Sequence, residues 1–255
     1  MFKFTGIVFI SNFSLTSDML IVVDADGTLW DCLEEWYSTA SEAWVSVEKT
    51  DFPMSYEKFY KYRWSVVRPE HIMQNAKLLK QGIAVPEDLE ELNSLRGKYD
   101  VSEHVKAFYY CRRRAMQDLS AWTSKHKLYE GVNEMFSELR DLGTTNVVVT
   151  SKDRDSTEVL LRHFDIFIFI DKIYDGSFGR RAEQYNALSR EHKTDSVIVY
   201  DDMPENLEVA ISVGFIAIAA PQGYGREKDL AKYRKAYPNE FAKIVKELLW
   251  TEWKF

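Results

Sequence analysis

The chain has 255 residues, 45% of them apolar and 29% charged, with a formal net charge of −7 at pH 7. That composition belongs to an ordinary globular polypeptide with room for one large domain or two small ones, and its acidic balance gives no global basic footprint for nucleic acid or for an anionic membrane. No apolar run approaches the length of a membrane-spanning helix, and the two cysteines, Cys32 and Cys111, lack metal-ligand spacing and fit free thiols in a reducing, cytoplasmic compartment.

The first 19 residues carry one lysine, a very short apolar centre and no small-residue cleavage pattern, which argues against a signal peptide. They read as an extra edge strand or a disordered lead, with Met19 as the natural initiator. The next stretch, Leu20 to Leu29 (LIVVDADGTL), sets the frame. A short continuous apolar run that ends at a glycine-containing break reads as a buried strand of a parallel sheet. Ligands of such sheets bind at the carboxyl ends of strands, where Asp24 and Asp26 sit. Residues two apart on an extended chain point the same way, so both can work on one ligand. Two carboxylates this close repel each other and are costly to desolvate, and a bound cation would offset both costs. The plain alternative is an acidic turn. A calcium loop would need an acidic residue or Asn where Val22 stands.

From Trp30 to about Lys127 the pattern is helical. Leu33, Trp36, Tyr37, Ala40, Ala43, Trp44 and Val47 recur at spacings of three and four. Pro53 and Ser55 interrupt, and Tyr56, Phe59, Tyr60 and Trp64 restart the pattern. Pro69 opens a helix to about Gln81, with Gly82 just past its end, and Pro86 opens another that ends near Gly97. Val101 to Trp122 is the longest helical candidate, with Ser102 as its N-cap. No convincing strand appears in this region.

After Leu128 strands and helices alternate. Val132, Met135, Phe136, Leu139 and Leu142 form an amphipathic face closed by Gly143. Asn146–Val149 is a strand ending at Thr150-Ser151, followed by a helix over Thr157–His163. A strand belongs somewhere between Ile166 and Tyr174. Ala182–Arg190 is helical. Val197–Tyr200 is a strand ending at Asp201-Asp202, Leu207–Val213 is helical, and Phe215–Ala219 is the last clear strand. Phe241–Trp250 gives a terminal amphipathic helix. Strands separated by helices predict an α/β fold with a doubly wound, Rossmann-like parallel sheet. The helical stretch is then an inserted all-helical cap over residues 31–126, with residues 1–30 and 127–255 forming the core. Both ends of the insertion lie near the carboxyl edge of the first strand, which makes it a lid.

Three strands thus end in polar residues on one side of one sheet: Asp24/Asp26, Thr150/Ser151 and Asp201/Asp202. Singly, these are solvated turns and helix caps; together they converge. Carboxylates, a hydroxyl and a cation are what a Mg²⁺-assisted attack on a phosphate needs. The order and spacing resemble the haloacid dehalogenase superfamily of phosphohydrolases. Its first motif, DxDGT after a strand, is matched by Asp24-Ala25-Asp26-Gly27-Thr28. Its second, an apolar strand ending in Thr or Ser, is matched by Val147-Val148-Val149-Thr150. Its fourth, a strand ending in an acidic pair, is matched by VIVYDDMPENL. The third expects a lysine, less often an arginine, and here Arg180-Arg181 stand, with Arg181 the better match by spacing. TLWD, the paired basic residues and YDD partly resemble the magnesium-dependent phosphatase subgroup, whose familiar members lack a large cap. The insertion looks like the family's helical type 1 cap.

The resemblance implies a Mg²⁺-dependent phosphomonoester hydrolase acting on a small phosphorylated metabolite. Asp24 would be the nucleophile and Asp26 the acid and base. Asp24, the backbone carbonyl of Asp26, and Asp202 would hold Mg²⁺. Arg181, Thr150 and Ser151 would bind the phosphoryl group. Thr28 would shape the turn. An alkoxide leaving group needs an acid such as Asp26; carbon–halogen hydrolysis does not. The rivals are a phosphomutase-type transfer enzyme on the same core and a catalytically silent binding protein. A small-molecule ester is the expected partner, with neither nucleic acid nor membrane; aromatic cap surface offers a face for a homodimer. Arg112-Arg113-Arg114 reads as a solvated helix face. Trp36, Trp44, Trp64 and Trp122 read as cap core, Trp30 and Asp31 as pocket contacts. The five histidines have no metal spacing, and nothing singles out Glu35 or Tyr110.

Overall fold

The computed structural model describes residues 19–192 and 196–252; the expectations for residues 1–18 lie outside them. The chain enters as strand β1 (Leu20–Val23), turns through Asp24–Leu29 and forms a two-residue strand β2 (Trp30–Asp31). Six helices follow: α1 (Leu33–Glu48), α2 (Tyr56–Tyr62), α3 (Pro69–Lys80), α4 (Leu89–Arg96), α5 (Ser102–Ala115) and α6 (Leu119–Thr123). Strand β3 (Lys127–Leu128) pairs antiparallel with β2, so the chain leaves the helical cap beside the place where it entered. The alternating part then runs α7 (Val132–Asp141), β4 (Thr145–Val149), α8 (Arg154–His163), β5 (Lys172–Tyr174), α9 (Arg181–Glu191), β6 (Val197–Asp201), α10 (Pro204–Ser212), β7 (Ile216–Ala219), α11 (Glu227–Leu230), β8 (Arg234–Lys235) and α12 (Pro238–Glu252).

All six main strands are parallel, in the order β5-β4-β1-β6-β7-β8. β1 is central, and all four of its residues are buried because helices cover both faces of the sheet. Ile21 and Val23 pack into a layer with Phe136, Leu139, Phe241 and Val245 of α7 and α12. Leu20 and Val22, pointing the other way, pack with Tyr185, Leu188 and Ala210 of α9 and α10. The first layer continues without a break into the cap through Trp30, Trp36, Trp44, Phe108 and Trp122. Trp36, Trp44 and Trp122 are cap core, as their helical spacing implies, whereas Trp30 lies in β2.

Several boundaries differ from the sequence expectation, each for a local reason. The Val101–Trp122 helix divides at Met116–Asp118, because the Asp118 carboxylate accepts from the Ala121 amide (3.0 Å) and starts a new helix. Ser102 is the first residue of α5 rather than its cap; Asp100 accepts from the Ser102 amide instead, at 2.9 Å. The helix expected from Pro86 begins at Leu89, where Asp88 caps it through the Glu91 amide at 2.8 Å. Phe167–Phe169 forms a 3₁₀ turn, and the strand of that region is Lys172–Tyr174. The short strands β2, β3 and β8 carry too few residues to give a period.

Helix α12 is held on the sheet by Phe241, fully buried and stacked on Tyr200 at 4.3 Å between ring centroids. Phe241→Ala removes a buried aromatic from a dense layer and is expected to cost about 3–5 kcal/mol. Urea unfolding measures it; a loss under about 1 kcal/mol would mean that α12 is not part of the cooperative core.

Candidate active site at the carboxyl edge of the sheet

Register places the acidic residues side by side. β1 and β6 are neighbours with Val23 opposite Tyr200, so Asp24 and Asp201 emerge at one level of the sheet edge, with Asp202 next along the chain. Carboxylate oxygens of Asp24, Asp201 and Asp202 lie within 4.8 Å of one another, and all three residues are buried. The turn after β1 closes against this group. Gly27 has φ +86°, and a Cβ there would stand 2.4 Å from Asp202 Oδ2; a Cβ on Gly223 would stand 2.3 Å from Asp202 Cβ. The glycines let two loops touch the carboxylate. Thr28 Oγ1 donates to Asp202 Oδ1 and accepts from the Asp202 amide, both at 3.1 Å, and the Tyr224 amide donates to Oδ2 at 2.7 Å. Asp201 accepts from the Met203 amide at 2.8 Å and from Asn206 Nδ2 at 3.0 and 3.1 Å. Asn206 therefore serves Asp201, not Asp202.

One cation faces the three acids. Arg181, at the start of α9, donates from Nη2 to Asp24 Oδ1 at 2.6 Å and lies 3.4 Å from Asp201 Oδ2, while Nη1 donates to the Val149 carbonyl. Arg180 is exposed, and Lys172 is drawn to Glu191 at the far end of α9. A single guanidinium does not compensate three carboxylates. Burial, then the Asp201 charge, raises Asp24 well above the carboxylate range against the pull of Arg181. Burial and Asp201 likewise push Asp202 up to about 8, and burial raises Asp201. Ligand oxygens this close, hard in character and short of positive charge, fit a further divalent cation.

The other expected residues are arranged around this group. Thr150, beyond β4, is buried, and its Oγ1 accepts from the Lys152 amide at 3.1 Å. Gln184 holds the Thr150 carbonyl at 2.7 Å. Ser151 Oγ donates to the Val67 carbonyl of the cap at 2.8 Å, so it links cap and core. The Asp26 carboxylate lies apart from the three-acid group: Trp30 Nε1 donates to Oδ1 at 2.6 Å, and Lys152 Nζ lies 3.2 Å from Oδ2. Trp30 is thus fully buried as a support for Asp26, and Asp31 binds the Leu33 amide and the Tyr224 hydroxyl.

Behind Asp26 runs a buried charge network that sequence reading did not assemble. Lys152 lies 3.9 Å from Glu35 Oε2, Glu35 accepts from Arg112 Nε and Nη2 at 3.0 Å each, and Arg112 Nη1 lies 3.4 Å from Asp153 Oδ2. Arg112 is 2% exposed, which corrects its reading as part of a solvated basic run; Arg113 and Arg114 are exposed. A signal was present. Arg112 falls on the stripe of Phe108 and Cys111, and Glu35 on that of Trp36 and Thr39, so helical spacing puts both charges inside. Burial pushes Glu35 up, but Arg112 and Lys152 outweigh it and hold the carboxyl down to about 2.

Comparison with known proteins supports the same reading of the fold. The family model of the haloacid dehalogenase-like hydrolases matches residues 19–214. Among solved structures, a predicted phosphatase from Clostridium acetobutylicum is similar at 18% identity and a TM-score of 0.66, covering 90% of this chain and 98% of that one. A predicted phosphoglycolate phosphatase from Haemophilus somnus is similar at 16% identity and TM-score 0.66, covering 90% and 99%. A protein provisionally described as a β-phosphoglucomutase, from Thermotoga maritima, is similar at 17% identity and TM-score 0.57, covering 90% and 99%. No curated protein matches the chain.

Arg112→Ala leaves Glu35 buried with Lys152 at 3.9 Å as its remaining ion-pair partner and the Thr39 hydroxyl at 2.9 Å as its remaining donor, and is expected to destabilise by about 3–5 kcal/mol at pH 7. Because Glu35 sits below its ordinary value, its stabilisation is present above about pH 4.5 and is lost as pH falls toward 2. Urea midpoints at pH 7 and pH 3 should therefore differ less in the variant than in the wild type. Equal stability of the two proteins at pH 7 would show that Lys152 alone compensates Glu35.

Proposed function

The chain belongs to the haloacid dehalogenase-like hydrolase family, and on that premise we propose that it is a Mg²⁺-dependent phosphomonoester hydrolase acting on a small phosphorylated metabolite. The observation that carries the reading is the meeting of Asp24, Asp202 and Arg181 at one strand edge: a carboxylate nucleophile, a metal-holding acid and a cation. Asp24, Asp202 and the backbone carbonyl of Asp26 would hold Mg²⁺, with Asp201 beside them. The metal, when bound, would neutralise charge on the phosphoryl group and on Asp24.

Asp24 attacks phosphorus, forming an aspartyl-phosphate as the ester oxygen departs. Asp26 gives that oxygen a proton and then takes one from the water that hydrolyses the intermediate. Its carboxylate is suited to this because Trp30 and Lys152 hold it outside the acidic group, away from metal ligation. Arg181 meets the equatorial oxygens with a planar pair of donors, and Thr150 and Ser151 supply further hydrogen bonds. An arginine in the third-motif position keeps the charge that the chemistry requires, which speaks against a silent protein.

In this reading residues 1–30 and 127–255 form the catalytic unit and residues 31–126 the lid. The antiparallel pair β2–β3 supports it, since both crossings of the chain lie together. So do the contacts that meet across the gap: Ser151 with Val67, and Arg226 with the Glu87 carbonyl at 2.7 Å and the Trp64 ring at 3.7 Å. A lid that closes on substrate excludes water from the aspartyl-phosphate. Among the described residues no helix is long and apolar enough to cross a membrane.

Phosphate release from p-nitrophenyl phosphate and small esters, with Mg²⁺ and with EDTA, tests the proposal. Release that requires Mg²⁺ and is abolished by Asp24→Asn supports it; metal-independent release, or full activity in the variant, overturns it. Isomerised ester without free phosphate would instead identify the transferase.

Mg²⁺ is also expected to raise Tm more at pH 8.5 than at pH 6.5. Asp202, raised to about 8, stabilises the metal-free fold fully only below its ordinary value of 3.8, and that contribution falls as pH rises from there through about 8. Bound Mg²⁺ offsets the charge that then appears. An equal Mg²⁺ effect at both pH values would mean that the acids are ionised throughout.

A further inference from the structure

A cavity of about 900 Å³ lies between cap and core, and its wall includes Ser151, Arg181 and Asn206. Arg181 and Asn206 are bonded to the acidic group itself. Three further arginines line the same cavity from three separate elements: Arg68 just before α3, Arg96 at the end of α4, and Arg180 just before α9. Arg96 is 2% exposed, yet its hydrogen bonds all go to neutral acceptors: Asn75 Oδ1 at 3.0 Å, the Ser65 carbonyl at 2.6 Å, Ser65 Oγ at 3.1 Å and Asn93 Oδ1 at 3.5 Å. Arg68 Nε faces a histidine, His71 Nε2, at 3.3 Å.

Four acids lie on the same wall, Glu70, Asp153, Asp175 and Glu205, and among the described residues none of them forms an ion pair with the three arginines. Asp153 is engaged by Arg112 and caps α8, and Asp175 caps the turn at Ser177. Glu205 is drawn up by burial in spite of Arg96 and Arg68, and His71 is held neutral by burial and by Arg96, Arg68 and Arg180 together. Burial also brings Arg96 down to about 10, which leaves it charged at neutral pH. Among the described residues, none of the three arginines is in an ion pair. Arg96, the one of the three that is buried, feels the Glu205 charge but makes no ion pair with it; a buried cation so weakly compensated is costly, and an anionic ligand entering the cavity would supply a closer counter-ion.

We propose that this cavity binds the non-reacting end of the substrate and that this end is anionic, a carboxylate or a second phosphate held by Arg68, Arg96 and Arg180. The proposal rests on the phosphatase reading for the other end of the molecule, at Asp24. The substrate class is then a phosphate ester with two separated anionic groups. Since Arg68 and Arg96 belong to the cap and Arg180 to the core, the second anion ties the lid to the sheet edge. Closure and substrate choice become one event.

The test compares kcat/KM for two pairs of esters: 3-phosphoglycerate against glycerol 3-phosphate, and fructose 1,6-bisphosphate against fructose 1-phosphate. The first pair probes a carboxylate and the second a second phosphate. A preference of tenfold or more for the doubly anionic member of either pair is expected, in line with charge-assisted hydrogen bonds. It should shrink about tenfold, through KM, in Arg68→Gln and in Arg180→Gln; these residues have exposed surface, whereas replacing Arg96 could unfold the cap. Turnover of p-nitrophenyl phosphate with no charge preference in either pair would overturn the proposal and leave the phosphatase reading intact, as would a preference that both variants keep. Calorimetric binding of the same four esters to Asp24→Asn separates the two readings. If the wild type hydrolyses no ester, yet Asp24→Asn binds the doubly anionic member more tightly in a manner lost with Arg68→Gln, the anion site stands and the phosphatase reading falls.

Discussion

Burying three carboxylates at the ends of two adjacent strands, with one guanidinium facing them, is the constraint around which the molecule is arranged. Parallel register brings Asp24 and Asp201 level, and the chain then places Asp202 directly after. In a low-dielectric setting such a group is unstable without donors and positive charge. Much of the surrounding structure supplies them. Thr28 and the Tyr224 amide hold Asp202, Asn206 and the Met203 amide hold Asp201, and Arg181 reaches Asp24 across the sheet edge from α9. Gly27 and Gly223 leave room for the loops to come that close. What remains uncompensated is a demand for one more cation, and it coincides with the place where the proposed chemistry needs one.

A second set of buried charges lies behind Asp26, and it joins the two parts of the protein. Lys152 follows β4, Glu35 belongs to α1 and Arg112 to α5. Asp26, Lys152, Glu35, Arg112 and Asp153 form a chain of alternating sign. Its ends lie in the core and its middle in the cap, and the apolar layer that runs from the sheet into the cap surrounds it. The position of the Asp26 carboxylate is thereby coupled to how the first and fifth helices pack. Trp30 adds a hydrogen bond from the neck between the two parts. On the proposed mechanism, the acid that serves the leaving group senses the cap through ordinary packing and ion pairing.

The sequence by itself determined the frame. The apolar runs at Leu20, Asn146, Val197 and Phe215 are long and β-branched enough to read as buried strands, and the parallel sheet follows from the helices between them. The polar residues just past those runs converge because the carboxyl ends of parallel strands share one edge. Asp24, Thr150 and Asp202 were legible as candidates on that ground, and the family resemblance pointed in the same direction. The tertiary structure decided what spacing does not encode. It set Arg181, already the better match by spacing, against Asp24, because the start of α9 aims that side chain at β1 and leaves Arg180 outside. It kept both acids of the Asp201/Asp202 pair beside Asp24, set the Asp26 carboxylate apart with Lys152, and drew Arg112 out of an apparently solvated run into the interior. It also brought Arg68, Arg96 and Arg180, up to 112 positions apart in the chain, to one cavity. Strand ends are local facts of a sequence, whereas the pairing of charges depends on which helices lie against which, and that is settled only when the cap packs on the sheet.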